Sequence, residues 1–344
     1  MLVAELSNPR QFRLADAPPV PDPPPGHVQV AVKAVGVCGS DLHYFSDGGI
    51  GEARCVYPMV LGHEPAGVVR KTGLGVSGWF PGDRAVLEPA LYCYHCEFCM
   101  TGHHNVCANL RFLSQPDEPG FFREFVNLPA HNLLPLPPGV SDREGALAEP
   151  LAVVLHSMQF AAPRPGDTAV VFGAGPIGLL TIAVLKLSGV THVWSVEPIT
   201  HRRDLARALG AHAVIDPSAC DPARAILRDT ANRGVDIAID CASKDDSINQ
   251  CIQAARHAGR VVVTGIPSED YIRLAFHLMR RKELAFYSVR RSNHESGTAV
   301  RLLSSHSKLF APILTHERPI ADIQTAFEIC EQYEDGVGKL TVTL

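Results

Sequence analysis

Cys93, Cys96, Cys99 and Cys107 follow the spacing Cys-x2-Cys-x2-Cys-x7-Cys. Four thiolates joined by short spacers can close a tetrahedral shell around Zn²⁺ and leave no position open. Such a site shapes a loop and does no chemistry of its own. A catalytic ion instead needs about three protein ligands and a free place for water or substrate. Cys38 and His63 supply a soft and a borderline ligand, and either Glu64 or Glu149 can supply an oxygen. One thiolate and one carboxylate just neutralise Zn²⁺, which keeps the ion a stronger Lewis acid than two thiolates would. That ion lowers the pKa of an alcohol bound to it and holds it as alkoxide. An alkoxide can expel hydride from its own carbon toward a nicotinamide ring.

A hydride acceptor is implied further along. Gly173-x-Gly175-x-x-Gly178 follows a strand-like run and opens a helix-like one. The first glycine permits the tight turn, the second lets the backbone approach a pyrophosphate, and the third lets helix and strand pack closely. Pro176 and Ile177 fill the variable positions of the loop. The phosphates would rest on the helix N-terminus, where free N–H groups favour anions. Glu197 ends the next strand, 19 residues after Gly178. A carboxylate there accepts from both ribose hydroxyls and repels a 2′-phosphate, which points to NAD. Arg202 and Arg203 just beyond are of the type that holds NADP, so the two signals oppose each other and Glu197 is given precedence.

The elements that must position these residues fall into two groups. Residues 27–37 are valine-rich and partly alternating, as a strand is; Val68-Val69, 85–87 and 124–126 read as further short strands, punctuated by turns such as Pro81-Gly82-Asp83. Residues 1–148 are therefore expected to form a mostly β domain, with the Cys38 and His63-Glu64 motifs in loops after strands. From 149 to 288 strands at 168–172, 192–196, 213–215, 235–239 and 260–263 alternate with helices such as 178–187 and 201–209, the latter stopped by Gly210. That alternation implies a doubly wound parallel sheet, so the fold class is α/β. Residues 289–344 end in a strand-like tail, 339–344, expected to return to the first domain.

Composition narrows the class of partner. The chain has 344 residues, 46% of them hydrophobic, and a formal net charge of −5, which gives no electrostatic reason to expect nucleic acid. Residues 168–185 carry no charge, but their three glycines and proline break the run into strand, turn and helix rather than a membrane span. Ten cysteines behind a start, Met1-Leu2-Val3-Ala4-Glu5, without signal-peptide character suit a reducing compartment, the cytoplasm, with thiols used for metal.

Several motifs then agree in order with one family. The runs 37–44, 58–64, 81–84, 149–153 and 173–178 make the chain resemble a zinc-dependent medium-chain alcohol or polyol dehydrogenase along nearly its whole length, nearest the sorbitol (L-iditol) and L-idonate 5-dehydrogenase branches. The resemblance implies a GroES-like β domain with an inserted Rossmann domain, zinc at both a catalytic and a structural site, NAD, and a homotetramer. It implies that Cys38, His63 and Glu64 bind the catalytic zinc, with Glu149 binding directly or through water. Glu149 stands where alcohol dehydrogenases have cysteine, which places the chain with polyol enzymes. It further implies that Ser40 takes the hydroxyl proton, that His43 relays it, and that Tyr44, Phe112 and Arg290 touch substrate. A small polyol or sugar acid is the expected substrate. L-Threonine 3-dehydrogenase and simple alcohol dehydrogenase are the alternatives among enzymes, and an NAD(H)-binding sensor is the alternative outside them.

Overall fold

The valine-rich stretch near residue 30 forms the strand His27–Gly36, and nearly all of it is buried. Both faces are covered, which is why its apolar residues run on rather than alternating cleanly. The computed structural model describes residues 1–244 and 246–344. The chain divides into two units: Met1–Ala152 with Asn293–Ser307 and Leu314–Leu344, and Val153–Ser292 with Lys308–Ile313.

In the first unit the strands Leu133–Pro135, Arg84–Leu87, Glu64–Thr72, His27–Gly36, Lys339–Thr343 and Leu314–Pro319 lie side by side in that order, and Phe125–Pro129 also pairs with His27–Gly36. The register sets Gly36 opposite Glu64 on one side and opposite Thr341 on the other. Residues from the first fifth of the chain and from its last few positions thus meet across a single glycine. A core of Phe45, Phe121, Phe122 and Phe327, all fully buried, packs against this sheet. Phe12 stacks on Phe45 with ring centroids 5.7 Å apart.

Cys38 lies, as expected, in the connection after the strand His27–Gly36, but the rest of its motif is helical: Cys38 is the N-cap of the helix Gly39–Asp47, where Asp41 Oδ2 accepts from the Cys38 N–H at 3.3 Å. His63 lies in a loop, whereas Glu64 already begins the strand Glu64–Thr72. The hairpin Leu2–Asn8 and Gln11–Asp16 is a further element the residue pattern did not announce.

The second unit carries a parallel sheet ordered Ala213–Ile215, His192–Val196, Thr168–Phe172, Val235–Asp240, Ala255–Val263 and Ala285–Ser288. Strand Thr168–Phe172 has its successor on one side and Val235–Asp240 on the other, so the winding direction reverses beside it. Ligands of such sheets bind outside the carboxyl ends of the strands at that switch point. The helix after it, Pro176–Leu187, begins earlier than residue 178 because Pro176 occupies its first turn, where a fixed φ costs nothing. Gly210, at φ +101°, closes the helix Thr200–Ala208, as the sequence predicts. Among the described residues no helix is long and apolar enough to cross a membrane.

Candidate active site

Cys38, His63 and Glu64 offer ligand atoms that all lie within 4.8 Å of one another. Three elements bring them there. The capped helix start fixes Cys38, the segment before Glu64–Thr72 presents His63, and the first residue of that strand presents Glu64. His63 Nδ1 lies 3.2 Å from Asp41 Oδ1, and Asp41 is itself fully buried. Asp41 also accepts from the Gly62 N–H at 3.2 Å and the Ser114 hydroxyl at 2.9 Å. A carboxylate on one ring nitrogen fixes the tautomer and leaves the other nitrogen as a ligand.

The donor set suits a divalent ion. Both Glu64 carboxylate oxygens are buried and lack a hydrogen-bond partner, although the Lys339 ammonium stands against Oε2 as an ion pair. Burial should push the His63 pKa down, yet Asp41 and Cys38 raise it well above the ordinary histidine value. The site therefore favours positive charge at the imidazole, and a metal ion is the alternative to that proton. Glu149 lies at the start of the helix Ala148–Ala161 and is buried. It is not one of the three mutually close ligands. Burial, opposed by His63 and reinforced by Glu64, pushes its carboxyl up to about 8.

Ser40 Oγ stands 3.3 Å from both Cys38 Sγ and His63 Nε2. His43 lies one turn further along the same helix, with Nδ1 at 2.9 Å from Asp47 Oδ2. The Phe112 ring centroid is 5.5 Å from that of His63, and Phe112 is buried. Tyr44 is buried in the core of the first unit. Arg290 is exposed and belongs to the second unit.

The four cysteines also converge. Cys96 caps the short helix Glu97–Met100 and Cys107 closes the turn His104–Val106. Their sulfurs lie within 4.8 Å of one another, with Cys93 and Cys107 at 3.5 Å and Cys96 and Cys107 at 3.9 Å. A tetrahedral zinc–thiolate shell has sulfur–sulfur edges of about 3.8 Å. The Cys96 N–H points at Cys93 Sγ at 3.4 Å. Backbone N–H groups at His95 and Cys96, with Asn109, bring the Cys93 thiol down to about 5, so it is ready to bind as thiolate. Asn293 ties this loop to its own unit by accepting from the His104 N–H at 3.0 Å and donating to the Gly102 carbonyl at 2.7 Å.

In the second unit Gly173 adopts φ +88°, a conformation open to glycine. A Cβ on Gly178 would lie 1.9 Å from the Gly173 carbonyl oxygen, so helix and strand touch backbone to backbone there. Gly175 caps the helix Pro176–Leu187. Glu197 is buried and accepts from the Ala174 N–H at 2.7 Å and the Ile199 N–H at 3.0 Å. It is therefore a tie for the glycine loop as well as a candidate for the ribose. Arg203 is held by the Glu197 and Pro198 carbonyls at 2.8 and 2.6 Å and by Asp216 at 3.0 Å. Arg202 Nη1 stands 3.9 Å from where a Cβ of Gly175 would be, beside the loop. Sequence reasoning passed over Asp41, Gly36 and Lys339. Asp41 sat inside a recognised motif, whereas the only signal for Gly36 was a glycine within a valine-rich strand.

Two family models match: alcohol dehydrogenase GroES-like domain over residues 24–138 and zinc-binding dehydrogenase over residues 176–305. The chain is 30% identical to sorbitol dehydrogenase of Bacillus subtilis over 99% of its own length and 97% of that protein. It is 36% identical to a protein of Aspergillus fumigatus named probable D-xylulose reductase A, over 94% of this chain and 91% of the other. Among solved structures, a candidate zinc-binding dehydrogenase of Sinorhizobium meliloti bound to NADP superposes with a TM-score of 0.91 at 27% identity, covering 100% of this chain and 99% of that one.

Proposed function

The chain belongs to the zinc-dependent medium-chain dehydrogenase family, and we propose that it oxidises a secondary hydroxyl of a small polyol or sugar acid to a ketone with NAD as acceptor. The observation that carries this reading is the triad of thiolate, imidazole and carboxylate at Cys38, His63 and Glu64, with a second acid, Glu149, close enough to sense two of them. The similarity to a sorbitol dehydrogenase and a xylulose reductase supports the polyol class.

Zinc, when bound, draws electron density from the substrate hydroxyl, and NAD accepts the hydride. The protein's own part is placement and proton handling. Asp41 orients the His63 ring through Nδ1. Ser40 Oγ stands beside both Cys38 Sγ and His63 Nε2, where it would take the proton that the hydroxyl loses while handing on its own. His43, on the same helix and less buried, passes that proton to solvent, with Asp47 holding its ring. Glu149, buried near His63 and Glu64, is the second acid within reach of the ion, to bind it directly or through water. Phe112 covers the His63 ring and keeps water from that side. The partly buried four-cysteine shell would hold a second, closed zinc.

Glu197 favours NAD: each of its oxygens uses one lone pair on the backbone and keeps another for a ribose hydroxyl. Arg203 is already bonded to carbonyls and Asp216, which leaves it poorly placed to receive a 2′-phosphate. Assembly into a homotetramer fits the open edge strand Ala285–Ser288 and the exposed Tyr271 and Phe276, at 89% and 63%. Ten cysteines outside any disulfide suit the cytoplasm.

The test is a panel of alcohols followed by NADH absorbance. Sorbitol, xylitol or L-idonate should give the highest kcat/KM. Preference for L-threonine or ethanol would replace the polyol reading with one of its enzyme alternatives, and no turnover at all would favour a sensor.

A further inference from the structure

Lys339 is a buried cation set against the candidate metal ligands. It is 1% exposed, its Nζ donates to the Val37 carbonyl at 2.8 Å, and it pairs with Glu64 Oε2. The backbone is shaped around that pair. A Cβ on Gly36 would lie 2.0 Å from Glu64 Oε2 and 2.9 Å from Lys339 Cε. Gly36 pairs in register with Glu64 on one neighbouring strand and with Thr341 on the other, so the central strand clears the space in which the two charges meet. A buried ammonium is costly unless paired, and the pair is therefore a specific feature of this sheet rather than a surface accident.

We propose that Lys339 is a positioning residue for the catalytic metal: it occupies Glu64 Oε2, restricts Glu64 to one ligand oxygen, and returns a positive charge to the site. The proposal rests on reading Cys38, His63 and Glu64 as the zinc ligands. A thiolate and a carboxylate together cancel the charge of a divalent ion. Lys339 leaves the assembly with one unit of positive charge, and it keeps the second Glu64 oxygen from closing the open position. The same ammonium that balances Glu64 in the metal-free protein repels the ion in the loaded one. Lys339 thus weakens zinc binding while it preserves a low coordination number and a strong pull on substrate oxygen.

The experiment compares wild type with Lys339→Met and Lys339→Arg in protein whose catalytic zinc is exchanged for Co²⁺. In Lys339→Met the visible cobalt absorption should weaken and shift as Glu64 supplies a second oxygen. Transfer of the ion to a chelator should slow about tenfold or more, since a nearby repelling charge is gone. The acidic limb of the kcat profile should move up by about one pH unit. Lys339→Arg should restore all three readings. A merely structural role would instead give a Met variant that loses metal faster, with an unaltered cobalt spectrum for whatever remains, and that result overturns the proposal. If Lys339→Met does not fold, Lys339→Gln removes the charge while keeping a donor for Val37, and the same outcomes decide. A wild-type cobalt spectrum that survives Cys38→Ala would overturn the ligand assignment itself and the Lys339 proposal with it.

Discussion

Asp41 Oδ1 lies 3.2 Å from His63 Nδ1, and the ring's other nitrogen, Nε2, stands 3.3 Å from the Ser40 hydroxyl. One buried carboxylate thereby decides which nitrogen is offered to a metal. Replacing Asp41 by Ala should lower affinity for the catalytic zinc by about 10–100-fold, the usual effect of losing such a partner. Competition with a chelator measures it. Dinucleotide binding should be little changed, because Glu197 and the glycine loop belong to the second unit. Undiminished zinc affinity in Asp41→Ala would mean that the ring is held by something else.

Glu197 is assigned two tasks, and one substitution separates them. Glu197→Ala removes the acceptor for the Ala174 and Ile199 N–H groups and the candidate acceptor for the ribose. If the ribose contact dominates, NAD should bind about tenfold or more weakly while NADP changes much less, since a repelling carboxylate has gone. Equal losses for both dinucleotides would reduce Glu197 to a loop tie. Titration of the two cofactors by fluorescence gives the ratio.

These two sites differ in how far the chain announced them. The four cysteines span a short stretch, so spacing alone implied a shell, and the three glycines marked a strand-to-helix turn that the structure contains. The α/β class was legible for the same reason: strand and helix periods alternate along 168–263. Lys339 was not legible. Its pairing with Glu64 depends on the register of Lys339–Thr343 against His27–Gly36, a long-range fact that no local window holds. Cys38 lies in the connection after His27–Gly36, as its motif suggested, but the helix Gly39–Asp47 that follows was not legible, because Gly39-Ser40 is weak helix sequence and the start is secured by the Asp41 cap.

Asp236 illustrates charge used for stability rather than chemistry. It is 4% exposed and accepts from Arg233 at 2.7 Å, Arg256 at 2.6 Å and the Thr168 N–H and hydroxyl, both at 2.9 Å. Burial alone would raise its pKa, but these donors together hold it well below the ordinary carboxylate value. A depressed pKa stabilises the fold above the unfolded value, near 3.9, and that contribution is lost as pH falls toward the folded one. Asp236→Asn should cost about 1–3 kcal/mol at pH 7. Thermal unfolding should show a difference between the two proteins that is level from about pH 8 to pH 5 and narrows below about pH 4. A gap that widened on acidification would contradict the assignment.

An open zinc held by Cys38 is tested most directly by metal content measured together with turnover on one preparation of Cys38→Ala. Wild type should carry about two zinc ions per chain, one closed and one open. The variant should keep about one, bind NAD as before, and oxidise no polyol. A Cys38→Ala protein that still held two zinc ions, or still reduced NAD with sorbitol at the wild-type rate, would show that Cys38 does not hold the catalytic ion.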